Sequence, residues 1–428
     1  MVQRAVLETR LAVRRSLAGW IRSRGVRGAA PMPGAAQASA RGEAHQRPLV
    51  LVALSGGADS LALAAAAAYA APEVGARAGA VIVDHGLQAG SSEVAAGAAA
   101  QAERLGLSPV QVRRVEVPGD RGDGPEAAAR DARYAALVHS AVELGASAIL
   151  TAHTRDDQAE QVLLGIARGS GTRSLAGIPP LRTFGGGATG GGAGSGAGAG
   201  SGSGAGSGAG AGAGAGSGSG AGSGSGSGAG SGAGAGAGAG SGSGAGSATD
   251  LELLRPFLIE RPAVTRAVTE AACAEQDLRP WFDPHNDDPA YARVRVRRVV
   301  LPVLERELGP GISESLARTA DVAREDADAL DGLADEMAAE VVEHLECGIA
   351  VSTAALAASP PALRHRIIRV VARTGFGAQL SRERTLAVAE LVTSWRGQGP
   401  VEVPGASVRR EDGRLVFEPA APRRAASG

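Results

Sequence analysis

The chain has no lysine: all 43 of its basic side chains are arginine. That excludes a Walker A loop, which needs Gly-Lys-Ser/Thr at the phosphates. Any phosphate site must therefore use backbone N–H groups and arginine. With so much Ala, Gly and Arg, the missing lysine reads as the codon bias of a GC-rich genome. Cysteine is nearly absent too. Cys273 and Cys347 are far apart and no CxxC occurs, which argues against a zinc ribbon or a redox pair. No apolar run reaches about 18 residues, so no helical membrane span is expected. The net charge of −1 argues neither for nor against a nucleic-acid partner, so local clusters must decide. Residues 185–247 lack every large apolar side chain. They alternate Gly, Ala and Ser and hold more than half of the 65 glycines. Such a tract cannot repay its ordering entropy and is expected to be a flexible coil. Its free span would be roughly 45 Å.

About 365 residues remain, enough for two domains. The Arg-rich start faintly resembles a transit peptide, but an amphipathic helix is the better reading. Val6, Leu7, Leu11, Val13, Leu17 and Ile21 would be its apolar face, with Arg10, Arg14 and Arg15 in solvent. "LVLVAL" (49–54) is a continuous apolar run that fits a buried parallel strand. A helix from Asp59 to Ala71 follows. "GAVIVDHG" (79–86), "VQVRRVEV" (110–117) and "SAILTAH" (147–153) read as further strands, with a long helix before the last of them. Asp123 and Glu126 are spaced as that helix's capping box. "RDDQAEQVLLGIARG" reads as another helix, and "LELLRPFL" as a short strand after the Gly tract. This alternation predicts an α/β fold with a doubly wound parallel sheet, Rossmann-like, and the tract as an insertion within it. Helices dominate from Pro262 to Trp395, and "SVRREDGRLVFE" reads as a hairpin turning at Asp412-Gly413. The second domain is therefore smaller, mainly helical and α+β. The expected boundaries are a helix over 1–24, a linker over 25–47, the α/β domain over 48–305, the second domain over 306–420 and a tail over 421–428.

Ligands of open α/β sheets bind beyond the carboxyl ends of the strands. "SGGADS", "DHGL" and "AHTRDD" all lie at such ends. In the first, Gly56 and Gly57 permit close approach to the backbone, and the next helix points its N–H groups into the loop. Ser55 and Ser60 add hydroxyls. Asp59 suits a phosphate site only with Mg²⁺ between them. The alternative is a plain turn with Asp59 as N-cap. On the helix after "AHT", Ala159, Val162, Leu163 and Ile166 would share an apolar face, leaving Asp157 and Glu160 together away from it.

These motifs carry a resemblance. "SGGADS" after a hydrophobic strand is similar to the SGGxDS signature of PP-loop, or N-type, ATP pyrophosphatases. "VDHGL" (83–87), "EAAARDARY" (126–134) and above all "AHTRDDQAEQ" (152–161) resemble segments of the tRNA(Ile)-lysidine synthetases within that superfamily. So do "RGSGTRSLAGIPP" (168–180), "LRPF" (254–257), "DPHNDD" (283–288), "YARVRVRRVVLPVL" (291–304) and the stretch from "LRHRIIRVVARTGF" to "VEVPGASVRREDGRLVF". Departures are Gln161 for the usual Thr, Ser174 for Gly and Ile178 for Met.

The resemblance implies ligation of free lysine to C2 of the wobble cytidine of a CAU-anticodon tRNA(Ile). ATP is consumed through an adenylated cytidine, and AMP and pyrophosphate are released. It implies ATP contacts from Ser55, Gly56, Gly57, Ala58, Asp59, Ser60, Asp84 and His85, and Mg²⁺ at Asp59. Asp59, Arg130 and His153 would be catalytic, and His153, Asp157 and Glu160 would hold lysine. Arg133, Arg293, Arg295, Arg297 and Arg298 are candidates for tRNA phosphates; a solvated helix face is the alternative. A tRNA thiolation enzyme of the same fold is the rival, and it typically needs paired cysteines or an iron–sulfur cluster. A non-catalytic binding protein on the same scaffold is the rival outside enzymes. A cytoplasmic location is expected, and oligomeric state is open between monomer and homodimer.

Overall fold

The computed structural model describes residues 3–25, 47–86, 90–115, 125–169, 171–184, 251–259 and 264–420. Most of the expected linker, Leu87, Asp123 of the capping box, the Gly/Ala/Ser tract and the tail lie outside the described residues. The chain forms two compact units. The first comprises Met1–Thr154 and Pro180–Asp283, and the second Arg155–Pro179 and Pro284–Gly428. Residues 155–179 and 284–305 thus group with the second unit, whereas the sequence boundaries put them in the first.

The first unit holds α1 (Arg4–Ser23), β1 (Leu49–Ala53), α2 (Ala58–Glu73), β2 (Arg77–Asp84), α3 (Ser91–Arg104), β3 (Val110–Arg114), α4 (Pro125–Glu143) and β4 (Ala146–Leu150). After the excursion into the second unit it continues with β5 (Leu181–Thr183), β6 (Glu252–Leu254), α7 (Pro256–Ile259) and α8 (Arg266–Ala274). The sheet order is β3-β2-β1-β4-β6-β5. Neighbours pair in parallel from β3 to β6, and β5 runs antiparallel on β6. The strand order reverses between β1 and β4, the place where such sheets bind ligands.

The alternation in β1 shows why "LVLVAL" carries no polar residue. Val50, Val52 and Leu54 enter one apolar cluster with Leu61, Leu63 and Phe257. Leu49 and Leu51 enter another with Tyr134, Leu137 and Ile149. Both sheet faces are covered, so both sets must be apolar. Helix α2 buries ten residues, seven of them alanine, because it is packed by β1, β2, α1 and α8.

Helix α1 corrects the expected stripe. Its buried face is Ala5, Val6, Thr9, Ala12, Val13, Ser16, Leu17, Trp20 and Ile21, while Leu7 is exposed. The small residues of this face let α1 lie close against alanine-rich α2. Arg10 stacks over Tyr69 at 4.0 Å, and Arg14 faces Glu73 at 3.9 Å. Burying Val13, Leu17 and Ile21 contributes roughly 1.5–3 kcal/mol each.

Strands β2, β3 and β4 stop earlier than their sequence patterns suggest, at Asp84, Arg114 and Leu150. Val115 and Thr151, one residue past β3 and β4, still donate to Asp84 O and Leu254 O at 2.9 and 3.0 Å.

The second unit contains α5 (Arg155–Ala167), α6 (Thr172–Leu175) and a 3-10 turn (Pro284–Asp287). A helical stretch follows: α9 (Ala292–Arg295), a π turn (Val296–Val300) and α10 (Leu301–Leu308). Then come α11 (Ile312–Val341), β7 (Val342–Leu345), β8 (Gly348–Ser352), α12 (Thr353–Ala358), α13 (Pro361–Phe376) and α14 (Arg382–Thr393). The unit ends with β9 (Val401–Val403), β10 (Ala406–Glu411) and β11 (Arg414–Pro419). Helix α11 packs on α5, α6, α10 and α13. An antiparallel sheet, β7-β8-β11-β10-β9, shares a core with α13 and α14 around Phe417, Ile367, Leu391 and Leu415. Asp412 and Gly413 turn the β10–β11 hairpin at φ 45° and 74°, and Glu411 pairs with Arg414. The β7–β8 hairpin interrupts the stretch read as helical.

Candidate active site

The β1–α2 loop lies at the reversal of strand order. Gly56 has φ +87°, a conformation that disfavours any side chain, and its carbonyl accepts from Trp281 N–H at 2.9 Å. Gly57 is the N-cap of α2, and no side chain caps that helix. Asp59 lies in the first turn and is not the N-cap, contrary to the capping role the plain-turn alternative gave it. First-turn N–H groups without a side-chain cap are available to an anion. Ser60 braces the loop. Its hydroxyl donates to Gly57 O at 2.9 Å, accepts from Ser55 N–H at 3.2 Å and lies 3.1 Å from Ser55 Oγ. Ala58 contributes backbone: its carbonyl accepts from the Cys273 thiol at 3.3 Å.

Asp59 is held from α8. The Thr269 hydroxyl donates to its carboxylate, and Arg266 Nε lies 3.7 Å from Oδ2. Asp59 keeps about a quarter of its side chain exposed. Cys273 is packed behind the loop. Burial, then the Asp59 charge, push its thiol up to about 12, so it stays protonated near neutrality.

Asp84 is buried at the end of β2. Gly86 N–H donates to Oδ1 at 3.0 Å and the Ser92 hydroxyl to Oδ2 at 3.1 Å. Hydrogen bonds from Ser91 and from Gly86 hold its carboxyl below the ordinary value. Both oxygens are thus engaged in shaping the β2–α3 loop. His85 beside it is half-buried. Burial and then the charge of Arg133 lower its value, so the ring is neutral at pH 7.

At the ends of β4 and β6 is a basic cluster. Arg255, directly after β6, is 3% exposed and its Nε donates to His153 Nδ1 at 3.3 Å. Thr151 Oγ1 lies 3.1 Å from the same nitrogen. Arg255 also hydrogen-bonds buried Tyr134 of α4. Arg130 and Arg133, both exposed, lie 5.8 and 5.9 Å from the Tyr134 ring centre. Sequence reading noted "LRPF" but did not single out Arg255. An arginine immediately after a buried strand, at the end where ligands bind, was the available signal.

In the second unit, α5 opens with Asp156 and Asp157, placed favourably for its dipole. Glu160 corrects the expected polar face: it is fully buried, along with Gln158, Ala159, Val162 and Gly165, while Ile166 is exposed. A buried carboxylate needs partners, and two arginines supply them. Arg297 Nε donates to Glu160 Oε1 at 2.8 Å, and Arg293 Nε lies 3.1 Å from Oε2. Arg293 also approaches Gln161 Oε1 at 3.5 Å. Arg295 donates to the carbonyls of Pro289 and Ala290 at 2.6 and 2.7 Å, and Arg298 pairs with Asp287. All four arginines of "RVRVRR" thus have protein partners.

The "RGSGTRSLAGIPP" segment ties α6 to α11. Arg173 pairs with Asp328 and Asp331, and Arg324 donates to Ala176 O at 2.7 Å. Gly177, at φ +63°, leaves room for Gln158, whose Oε1 accepts from Ile178 N–H at 2.7 Å.

The PP-loop domain family matches residues 35–189, and the TilS substrate binding domain matches residues 352–416. The chain is 49% identical to the tRNA(Ile)-lysidine synthase of Leifsonia xyli over 87% of this chain and 90% of that protein. It is 44% identical to that of Salinispora tropica over 86% and 90%, and 43% identical to that of Streptomyces coelicolor over 86% and 85%. The chain belongs to the tRNA(Ile)-lysidine synthase family. It is an enzyme with an ATP-binding PP-loop domain. A solved structure, the U34-tRNA thiolase NcsA from Methanococcus maripaludis with its [4Fe-4S] cluster, has a TM-score of 0.44 at 13% identity, covering 75% of this chain and 80% of that one.

Cys273 is a buried thiol in the first unit, and Cys347 is exposed at the β7–β8 turn of the second. Among the described residues no helix is long and apolar enough to cross a membrane.

Proposed function

We propose that the chain ligates free lysine to C2 of the wobble cytidine in a CAU-anticodon tRNA(Ile), at the expense of ATP. The observation that carries this reading is the uncapped loop turned at Gly56 at the strand reversal, with Asp59 held beside it, in a chain of this family. In the first step cytidine O2 attacks the α-phosphate, the bond to the β-phosphate breaks, and pyrophosphate leaves. In the second, the side-chain amine of lysine attacks C2, loses a proton, and AMP leaves with the former O2. Gly56, Gly57 and the first-turn N–H groups of α2 bind phosphate oxygens, helped by Ser55. Arg130 offsets charge on the α-phosphate, and Arg133 contacts tRNA or phosphate. Asp84 and His85 form the wall of the nucleotide site.

Among the described residues no cluster of three or more His, Cys, Asp or Glu could hold a metal. A Mg²⁺ that takes most of its ligands from phosphate and water needs only one carboxylate, and part-exposed Asp59 fits that. Bound there, the ion would neutralise phosphate charge.

Within "AHTRDDQAEQ", His153 and Asp157 are assigned to the lysine. Glu160, already balanced by Arg293 and Arg297, supports this segment by holding the 292–300 helix against α5. Arg295 and Arg298 remain candidate phosphate contacts. A cytoplasmic enzyme follows from this reading, and a homodimer is compatible with it. The test is tRNA-dependent release of AMP and pyrophosphate by purified protein. Release with a CAU-anticodon tRNA(Ile), and none with a CAU-anticodon tRNA(Met), supports the assignment. Equal release with both contradicts it.

A further inference from the structure

The first unit concentrates cations around one buried phenol. Tyr134 is 7% exposed, and Arg130 and Arg133 lie 5.8 and 5.9 Å from its ring centre. Its hydroxyl bonds the guanidinium of Arg255, a side chain only 3% exposed. A buried guanidinium such as Arg255 needs a partner. The phenol oxygen supplies one by accepting its hydrogen bond, and the ring offers its negative face to the exposed Arg130 and Arg133.

The chain of contacts continues. Arg255 can only donate, so at 3.3 Å from its Nε the Nδ1 of His153 must accept. In the neutral ring the proton then sits on Nε2, which becomes a donor directed away from Arg255. Thr151 Oγ1, 3.1 Å from the same Nδ1, faces the same single lone pair, so its hydroxyl competes with Arg255 for it.

We propose that Tyr134 is a positioning residue: it gathers Arg130 and Arg133 at its ring, holds Arg255 by its hydroxyl, and through Arg255 sets the tautomer and orientation of His153. The role rests on the proposed function only in what His153 then does, namely orient lysine. Burial alone would raise the phenol's value; the charges of Arg255, Arg133 and Arg130 outweigh it and bring it below the ordinary one. That direction agrees with a phenol set among cations.

Two variants of the full-length enzyme separate the ring from the hydroxyl. Tyr134→Phe keeps the ring, and Tyr134→Leu removes it. Histidine-ring ¹⁵N spectra read the His153 tautomer, with His153→Asn identifying its signal; this readout needs no catalysis. In the wild type the proton is expected on Nε2, and in Tyr134→Phe a mixture of tautomers. With lysine, kcat/KM of Tyr134→Phe should fall about tenfold, while KM for ATP stays within about twofold. Tyr134→Leu should also raise KM for ATP about fivefold, as two cation–π contacts are lost. Variants with wild-type Tm that keep the Nε2–H signature and wild-type kcat/KM for lysine would overturn the proposal. Inactivity of the wild type would instead overturn the function and leave the tautomer readout to decide on Tyr134.

Discussion

Asp59 and Asp84 are both acidic residues beside a phosphate loop, yet the structure gives them different work. Asp59 keeps an exposed edge and is steadied by Thr269 and Arg266. Asp59→Asn should lower tRNA-dependent pyrophosphate release by about 10²-fold with little change in Tm; unchanged release removes it from phosphate chemistry. Asp84 spends its oxygens on Gly86 and Ser92. Its value is lowered in the folded state, so its contribution to stability is present above the ordinary carboxyl range and is lost as pH falls through the lowered value. Asp84→Asn should therefore be less stable than wild type at pH 7, and the gap should close in acid. Urea midpoints at both ends check this, and a gap that widens in acid contradicts it. Asp84 was legible as the polar end of an apolar strand, and Asp59 as part of the glycine-bearing segment that follows one. Their separate roles were not, because those depend on α8 and α3 folding back onto the loops.

At the scale of elements, apolar runs and alternation located β1, β2, β3, β4 and β6: β1, covered on both faces, leaves an unmixed apolar run, whereas edge strand β3 alternates apolar and polar residues. The β10–β11 hairpin was legible from Asp-Gly, which tolerates the two positive φ angles of its turn. The β7–β8 hairpin was not, since "VVEHLECGIAVS" follows a 30-residue helix without a break in composition. Burial of Glu160 was also illegible: Arg297, its partner, lies 137 residues away in sequence. Here the structure makes a prediction of its own. Glu160→Ala leaves two arginines facing an apolar gap and should cost about 3 kcal/mol, a Tm loss of roughly 5–10 °C. A Tm within experimental error of wild type would show that the α5 pairing with the 292–300 helix is not structural.

For the whole molecule, the Gly/Ala/Ser tract separates β5 from β6, yet those strands pair directly. Leu181 is opposite Leu254, and Phe184 N–H donates to Leu251 O at 2.9 Å. The chain is thus already closed on both sides of the tract. Deleting residues 187–246 should leave Tm within about 2 °C, since shortening a long closed connection changes its entropy only slowly. A large loss would assign the tract a structural role. Of the two strands that flank the tract, only interior β6 was readable in the sequence; three-residue β5, at the sheet's edge, was not.

The central claim is that this molecule joins lysine to an RNA base. Purified protein, ATP with Mg²⁺, ¹⁴C-lysine and a CAU-anticodon tRNA(Ile) transcript test it directly, with nuclease digestion and mass analysis of the labelled nucleoside. The account predicts one label per tRNA, on the wobble cytidine, increasing the nucleoside's mass by lysine less water. Label absent from the RNA, in a reaction where ATP is nonetheless cleaved to AMP, would contradict it.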